Sequence, residues 1–272
     1  MNGNIKLMDG YITLPKLKRV KIKQHRQIPE DHKLKSVTVS RTPTGKYYAS
    51  ILYEYDSQIE TAQPETFLGL DYSMKELIVS SDGKSAGYPG YYRQALKKLE
   101  REQRKLSRCE KGSKNRNKQR IKVAKLHERV ANQRKDFLHK LSRQTANAAD
   151  VVCIEDLDMK GMSKALNFGK SVSDNGFGIF VSMLDYKLKE RGKQLIRIDR
   201  WFPSSKMCSE CGRVKESLLL SERIYNCEYC GACIDRDLNA SINIRNEGAR
   251  KLFENMNRTV GHTGVARLCC SH

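Results

Sequence analysis

Acidic residues are scarce in this chain: 31 Asp and Glu stand against 51 Lys and Arg, leaving a formal charge of +20. That imbalance makes a polyanion the first expected partner. Long apolar runs are missing as well. No stretch approaches the roughly 18–20 residues that a bilayer core demands, which excludes a helical membrane span. The first residues, Met1-Asn2-Gly3-Asn4-Ile5-Lys6, hold no apolar stretch of the secretory kind. No internal repeat is present. What remains is a cytoplasmic protein of 272 residues, one large domain or two small ones, that meets nucleic acid. Nine cysteines in such a compartment point to metal ligation before disulfides.

Residues 1–65 read as β-rich. Lys35 to Ser40 alternates, Thr42-Pro43-Thr44-Gly45 makes a turn, and Tyr47 to Tyr53 returns, which is a hairpin signal. Tyr11 to Lys23 alternates apolar with basic residues and predicts further strands. A second pattern starts at Thr66. Phe67-Leu68-Gly69-Leu70-Asp71 is an apolar run ending in a carboxylate, with Glu76 to Ser80 as its neighbour and Ser81-Asp82-Gly83-Lys84 as a hairpin turn. From Tyr92 the period changes: Tyr92, Leu96, Leu99, Gln103 and Leu106 lie on one helical face. Gly112-Ser113 interrupts, and a second helix runs from about Asn115 to Ala149 with Val123, Val130, Phe137 and Leu141 on a stripe. These two helices predict an antiparallel hairpin. Between Arg93 and Arg143 stand 19 basic and 5 acidic residues, so most of the charge surplus sits there. Val151 to Glu155 is a strand, Lys160 to Asn175 is loop-like, Phe177 to Arg191 is a helix and Leu195 to Asp199 a strand. Leu238 to about Phe253 is helical, and the tail 256–272 is expected to be disordered.

Two C-x-x-C pairs, Cys208/Cys211 and Cys227/Cys230, each precede a glycine. Two such knuckles facing each other build the tetrahedral sulfur shell that zinc prefers, and four protein ligands leave no open position, so the zinc would be structural. Cys233 is a possible competitor.

Three carboxylates carry the chemistry. Asp71 and Glu155 each end an apolar strand, and neighbouring strands would bring them to one rim. Glu155 and Asp156 point to opposite faces, so only one of them can join Asp71. In Asp235-Arg236-Asp237-Leu238-Asn239-Ala240-Ser241, a helix would put Asp237, Ala240, Ser241 and Ile244 on one face. Its small residues let that face press close to the sheet, with Asp235 as the rival of Asp237. Such oxygen ligands suit Mg²⁺, and two ions about 3.5–4 Å apart hydrolyse phosphodiesters.

FLGLDYSMKELIVSSDG (from Phe67), GSKNRNKQRIKVAKLHERVANQRKDFLHKLS (from Gly112), VVCIEDLDMKGM (from Val151), FPSSKMCSECG (from Phe202) and CEYCGACIDRDLNASINI (from Cys227) resemble, in order, the OrfB/TnpB proteins of insertion sequences. These are relatives of the type V CRISPR effectors, and the resemblance runs from roughly Tyr11 to Gly248. It implies an α/β, ribonuclease-H-like (RuvC) domain over 66–202 and 235–255, with the basic helical hairpin at 93–149 inside it. A zinc ribbon would occupy 203–234 and a partial β-barrel wedge domain 1–65. The implied function is RNA-guided, Mg²⁺-dependent DNA cleavage by a protein of the class called transposases, with guide RNA and target DNA as partners. Position by position, the catalytic acids match Asp71, Glu155 and Asp237, which would hold two magnesium ions, and the zinc ligands match Cys208, Cys211, Cys227 and Cys230. Asp71 is followed by Tyr72-Ser73, where the family commonly has a small or apolar residue and glycine. The N-terminus is expected to be shortened relative to the family.

In this reading the hairpin grips phosphates through Lys97, Arg101, Arg104, Lys105 and Arg108 on its first helix. Lys118, Arg120, Lys122, Lys125, Arg129 and Arg134 serve on the second. Such contacts supply affinity and register but little sequence readout, which base pairing with the guide would provide. The alternative is a shortened relative that binds RNA or DNA without cutting, as a repressor would. A transposase that joins DNA ends itself is a third reading, but no tyrosine stands out as its nucleophile.

Overall fold

The computed structural model describes residues 5–8, 10–56, 59, 63–165, 169, 174–219 and 221–260. The chain divides into two units, one of residues 1–58 with 99–128, the other of 59–98 with 129–272. No helix among the described residues is long and apolar enough to cross a membrane.

In the first unit the alternating segments pair as expected. Strands β1 (Lys6–Met8), β2 (Tyr11–Leu14) and β3 (Lys18–Lys21) form an antiparallel meander around buried Ile12. Strands β4 (Lys33–Arg41) and β5 (Tyr47–Glu54) form a hairpin closed at Thr42–Lys46, where Gly45 takes a positive φ. Among the described residues these are two separate ladders, not one continuous sheet. The same unit holds the distal part of a helical hairpin. Its helices are α1 (Tyr91–Arg108) and α2 (Lys114–Ala148), broken at Gly112 as the periodicity predicts. Polar contacts lock the two together. Gln119 donates to both the backbone and the carboxylate of Glu102, and Arg116 donates to the carbonyls of Leu106 and Cys109 at the end of α1. The Gln119 amide, with Lys105 and Arg101, holds the Glu102 carboxyl down at about 2.

The second unit is built on a four-stranded sheet of order β7-β6-β8-β9: β6 (Phe67–Ser73), β7 (Leu77–Ser80), β8 (Val151–Glu155) and β9 (Gln194–Ile198). The β6–β7 pair is antiparallel, while β6, β8 and β9 run parallel. The Asp150 carboxylate fastens the sheet's entry by accepting from Thr66 N–H and Oγ1–H. Buried on both faces, β8 has no alternation, as a central parallel strand should not. One face (Leu68, Leu70, Val152, Ile154) packs against Leu138 and Ala146 of α2 and against helix α4 (Phe177–Lys189), through Phe180, Leu184 and Leu188. The short α3 (Met159–Ala165) corrects the loop expected from Lys160. Asp158 caps it by accepting from the backbone N–H of Lys160 and Gly161, and the following residues of that stretch lie largely outside the described ones.

The opposite face is covered by α5 (Arg236–Val260), which reaches beyond the expected end near Phe253; residues 261–272 lie outside the described ones. Val151, Cys153 and Ile198 of the sheet meet Ile244 and Leu252 of α5. Two glycines permit the approach. A Cβ on Gly69 would sit 2.6 Å from the Arg245 backbone nitrogen and closer still to the Ser241 carbonyl oxygen. A Cβ on Gly248 would sit 2.7 Å from Cys153 Cβ. Glycine inside a strand marks such close backbone approach. Gly69→Ala must therefore push α5 off the sheet and should cost ~3 kcal/mol, the upper end of overpacking penalties. Gly178→Ala, with open space around its Cβ, should be neutral or stabilising by up to ~1 kcal/mol. Thermal unfolding of the two variants checks this, and equal melting temperatures would contradict it.

Candidate active site and cysteine cluster

Register brings the first two acids together. Leu70 pairs with Ile154 across the parallel β6–β8 ladder, so Asp71 and Glu155 are the next residues along it, at the same end of the sheet. Both fall on the alternate positions that include Gly69 and Cys153, which is the face α5 covers. In α5, Asp237 precedes Ala240, Ser241 and Ile244, all buried against that face. The first turn of the helix thus brings a third carboxylate to the same end. Asp71 registers the crowding. Burial raises its carboxyl well above the ordinary carboxylate range, the negative charges of Glu155 and Asp237 raise it further, and the Tyr72 backbone N–H and the Arg236 cation only partly oppose them. Burial also raises Glu155, against the hydrogen bond it accepts from Ser204 Oγ at 2.5 Å.

The neighbouring acids that the sequence left as alternatives have partners of their own. Asp235 is the N-cap of α5: its Oδ1 accepts from the backbone N–H of Asp237 and Leu238, 3.0 Å each. Asp156 pairs with Arg197 and Arg200, 3.5 Å each.

The cysteines form the tighter set. Sγ of Cys208 lies 3.7 Å from that of Cys230, and Sγ of Cys211 lies 3.6 Å from that of Cys227. All four sulfurs are within 4.8 Å of one another, and Cys233 is outside the set. A tetrahedral ion with bonds of 2.3 Å needs sulfurs ~3.8 Å apart, so the cluster fits a metal such as zinc. The two knuckles match: Gly212 and Gly231 have φ near +75°, and each donates its N–H to the carbonyl of the first cysteine of its pair. Backbone N–H groups of Cys230 and Tyr229 turned toward Cys227 lower its thiol to about 6, whereas the neighbouring thiols and burial push Cys230 up to about 12. Tyr225, wholly buried, packs beneath the cluster and donates to the Lys206 carbonyl. By contrast, the oxygens of the three acids do not close to 4.8 Å; among the described residues only the sulfurs do.

Sequence reasoning missed the clamp between these two places. Asn239 donates to the Met207 carbonyl and accepts from Ser209 N–H, while Asn243 donates to the carbonyls of Ser204 and Met207. Arg236 donates to the carbonyls of Leu219 and Glu222. Asparagines four apart on a buried helix face were the available signal, because a buried amide demands partners.

Comparison with known proteins follows the same layout. The family model OrfB_IS605, described as "Probable transposase", matches residues 50–166, and "Cas12f1-like, TNB domain" matches residues 177–244. A Streptomyces pristinaespiralis protein named "Putative RNA-guided DNA endonuclease" is 39% identical over 237 residues, 87% of this chain and 58% of its own. The chain belongs to the OrfB/TnpB family. The Escherichia coli K12 protein "Putative RNA-guided DNA endonuclease InsQ" is 31% identical over 86% of this OrfB/TnpB chain and 61% of its own length. The chain thus spans about three fifths of these relatives. In a solved structure, the "Cryo-EM structure of CRISPR-Cas12f Ternary Complex", a chain shares the fold at TM-score 0.52 and 19% identity, over 77% of this chain and 44% of that one. Asp71 and Glu155 lie in the first matched segment of the OrfB/TnpB chain, and Asp237 in the second.

On the hairpin, Lys97, Arg101, Arg104, Lys105, Arg108, Lys118, Arg120, Lys122, Lys125 and Arg129 are exposed, although Arg101 and Lys105 lean on Glu102 and Arg120 donates to the Pro43 carbonyl. Arg134 differs from the expectation. It is half-buried and donates to the Asp174 carbonyl, because buried Asp174 organises the start of α1 by accepting from Tyr88 and from the backbone N–H of Tyr92.

Two outcomes follow from this geometry. Purified protein should carry one zinc per chain by elemental analysis, and Cys208→Ser should abolish it; full occupancy in that variant would contradict the assignment. A carboxyl raised on folding binds its proton more tightly in the folded state, so its penalty is absent below about pH 4 and grows as pH rises toward the folded value. Without divalent ions, Asp71→Asn should melt at least ~2 °C above the parent at pH 8, the gap closing near pH 4. Equal melting at both pH values would contradict it.

Proposed function

We propose that this OrfB/TnpB chain carries a ribonuclease-H-like, RuvC-type nuclease centre that hydrolyses DNA phosphodiester bonds under RNA guidance. The observation that carries the reading is the crowding of Asp71 by Glu155 and Asp237. Three acids from two strands and a helix are held where their charges oppose one another, an arrangement that costs stability unless a cation is to be bound. Asp71, Glu155 and Asp237 would hold Mg²⁺, which supplies an activated water and stabilises the leaving oxygen, with two ions sharing these tasks. The chain's own residues prepare that site. Ser204 fixes the rotamer of Glu155, the Asp235 cap fixes the turn that carries Asp237, and Arg236 offsets part of the negative charge until a cation binds.

In the same reading residues 203–234 are a structural zinc ribbon, 1–65 a wedge-like β domain, and the exposed hairpin cations bind phosphates of guide RNA and target DNA. The names of the relatives support the RNA-guided DNA substrate, and the +20 charge supports a polyanionic one.

The test is cutting of target DNA by the full chain with its RNA and Mg²⁺. Groups that orient a metal ligand are worth ~10–100-fold, so Ser204→Ala should lose about that much, and Asp71→Ala and Glu155→Gln should lose more. Unchanged cutting in Asp71→Ala would refute the site.

A further inference from the structure

The chain has a single tryptophan, Trp201, and it is 85% exposed. An aromatic of this size contributes much when buried, on the order of 150–250 Å² of surface, and here almost none of that is used within the fold. Its backbone, however, is tightly held. Trp201 N–H donates to Asp199 Oδ1 at 2.8 Å and Phe202 N–H donates to the Asp199 carbonyl at 3.1 Å, an Asx-type turn at the end of β9. Phe202 turns inward to pack with the α5-facing cluster. Two residues further on, Ser204 is buried and hydrogen-bonded to Glu155. Three residues of chain span at most ~11 Å, so Trp201 stands that close to the serine that touches the acid site. Arg200 precedes it in the chain and, with Arg197 of β9, shares the single carboxylate of Asp156 at 3.5 Å, both half-exposed. The neighbourhood is therefore an exposed ring on a hydrogen-bonded turn, two guanidinium groups and, next door, the crowded carboxylates.

We propose that Trp201 is a stacking platform for a base of the single DNA strand that enters the acid site. This rests on the nuclease reading above for the identity of the strand, and it adds what positions the strand. A base has a π-face whatever its identity, so stacking holds a strand without reading its sequence, while Arg197 and Arg200 meet the phosphates. A second copy of the chain covering the same ring is the competing occupant.

Because the chain has one tryptophan, its fluorescence reports this residue alone. The full chain, without added Mg²⁺, is titrated with a single-stranded oligodeoxynucleotide, an abasic strand of the same length, and the matching oligoribonucleotide. The base-bearing DNA should quench the emission and shield it from acrylamide, whereas the abasic strand should bind without quenching. Trp201→Ala should weaken binding of the base-bearing strand ~5- to 150-fold, the range expected for one stacked base, and Trp201→Phe should retain most of it. Unquenched emission at saturation, or full affinity in Trp201→Ala, would overturn the proposal. Tighter binding and stronger quenching by RNA would overturn the assignment to the DNA strand, and a protein-concentration-dependent blue shift without nucleic acid would mark a self-association surface instead. Failure here is separable from failure of the nuclease reading. Normal cutting by Trp201→Ala alongside full binding removes only the platform, and quenching by a parent chain that never cuts removes only the nuclease.

Discussion

Everything at the acid site depends on how closely α5 lies on the sheet. The contact is backbone against backbone at Gly69, where even a methyl group would collide with the helix. That approach sets the depth of Ser241 and Ala240 and, one turn earlier, brings Asp237 to the end of the sheet where β6 and β8 deliver Asp71 and Glu155. A bulkier strand residue would hold the helix off, and the third acid would move with it. Packing is thus the first cause of the electrostatics.

Like charges brought together this way oppose folding, and the surroundings are arranged to tolerate them. Arg236 lies close enough to lower Asp71, and Ser204 donates to Glu155. The same two residues belong to the clamp that ties the cysteine-rich segment to α5: Arg236 reaches the carbonyls of Leu219 and Glu222, and Asn243 reaches the carbonyl of Ser204. The cysteine cluster and the acids are therefore mechanically continuous. Asn243 holds the backbone of Ser204, and the hydroxyl of Ser204 donates to Glu155.

Much of this was legible in the residues. Period-two alternation marked the strands, the change of period at Tyr92 marked the hairpin, and the two C-x-x-C-G units marked the cysteine cluster, because each of these is a local pattern with a local physical cause. The small-residue face of Asp237, Ala240, Ser241 and Ile244 also anticipated the close-packed helix. What stayed hidden was what depends on partners distant in the chain. Asp235 and Asp237 are alike as letters, and only the cap geometry separates them. Arg134 looked like any other hairpin cation until Asp174, forty residues away, turned it inward. Ser204 lies in an unremarkable Pro-Ser-Ser stretch, and its role exists only because Glu155 ends a strand beside it. The helical turn at Met159 was masked by Gly161 and Ser163, which read as loop, whereas the Asp158 cap outweighs them.

The most direct test of the central claim is anomalous scattering from crystals of the full chain grown with Mn²⁺ in place of Mg²⁺. The account predicts manganese peaks bound by Asp71, Glu155 and Asp237, and their disappearance in Asp71→Asn crystals. Manganese bound elsewhere, with these three carboxylates bare, would contradict it.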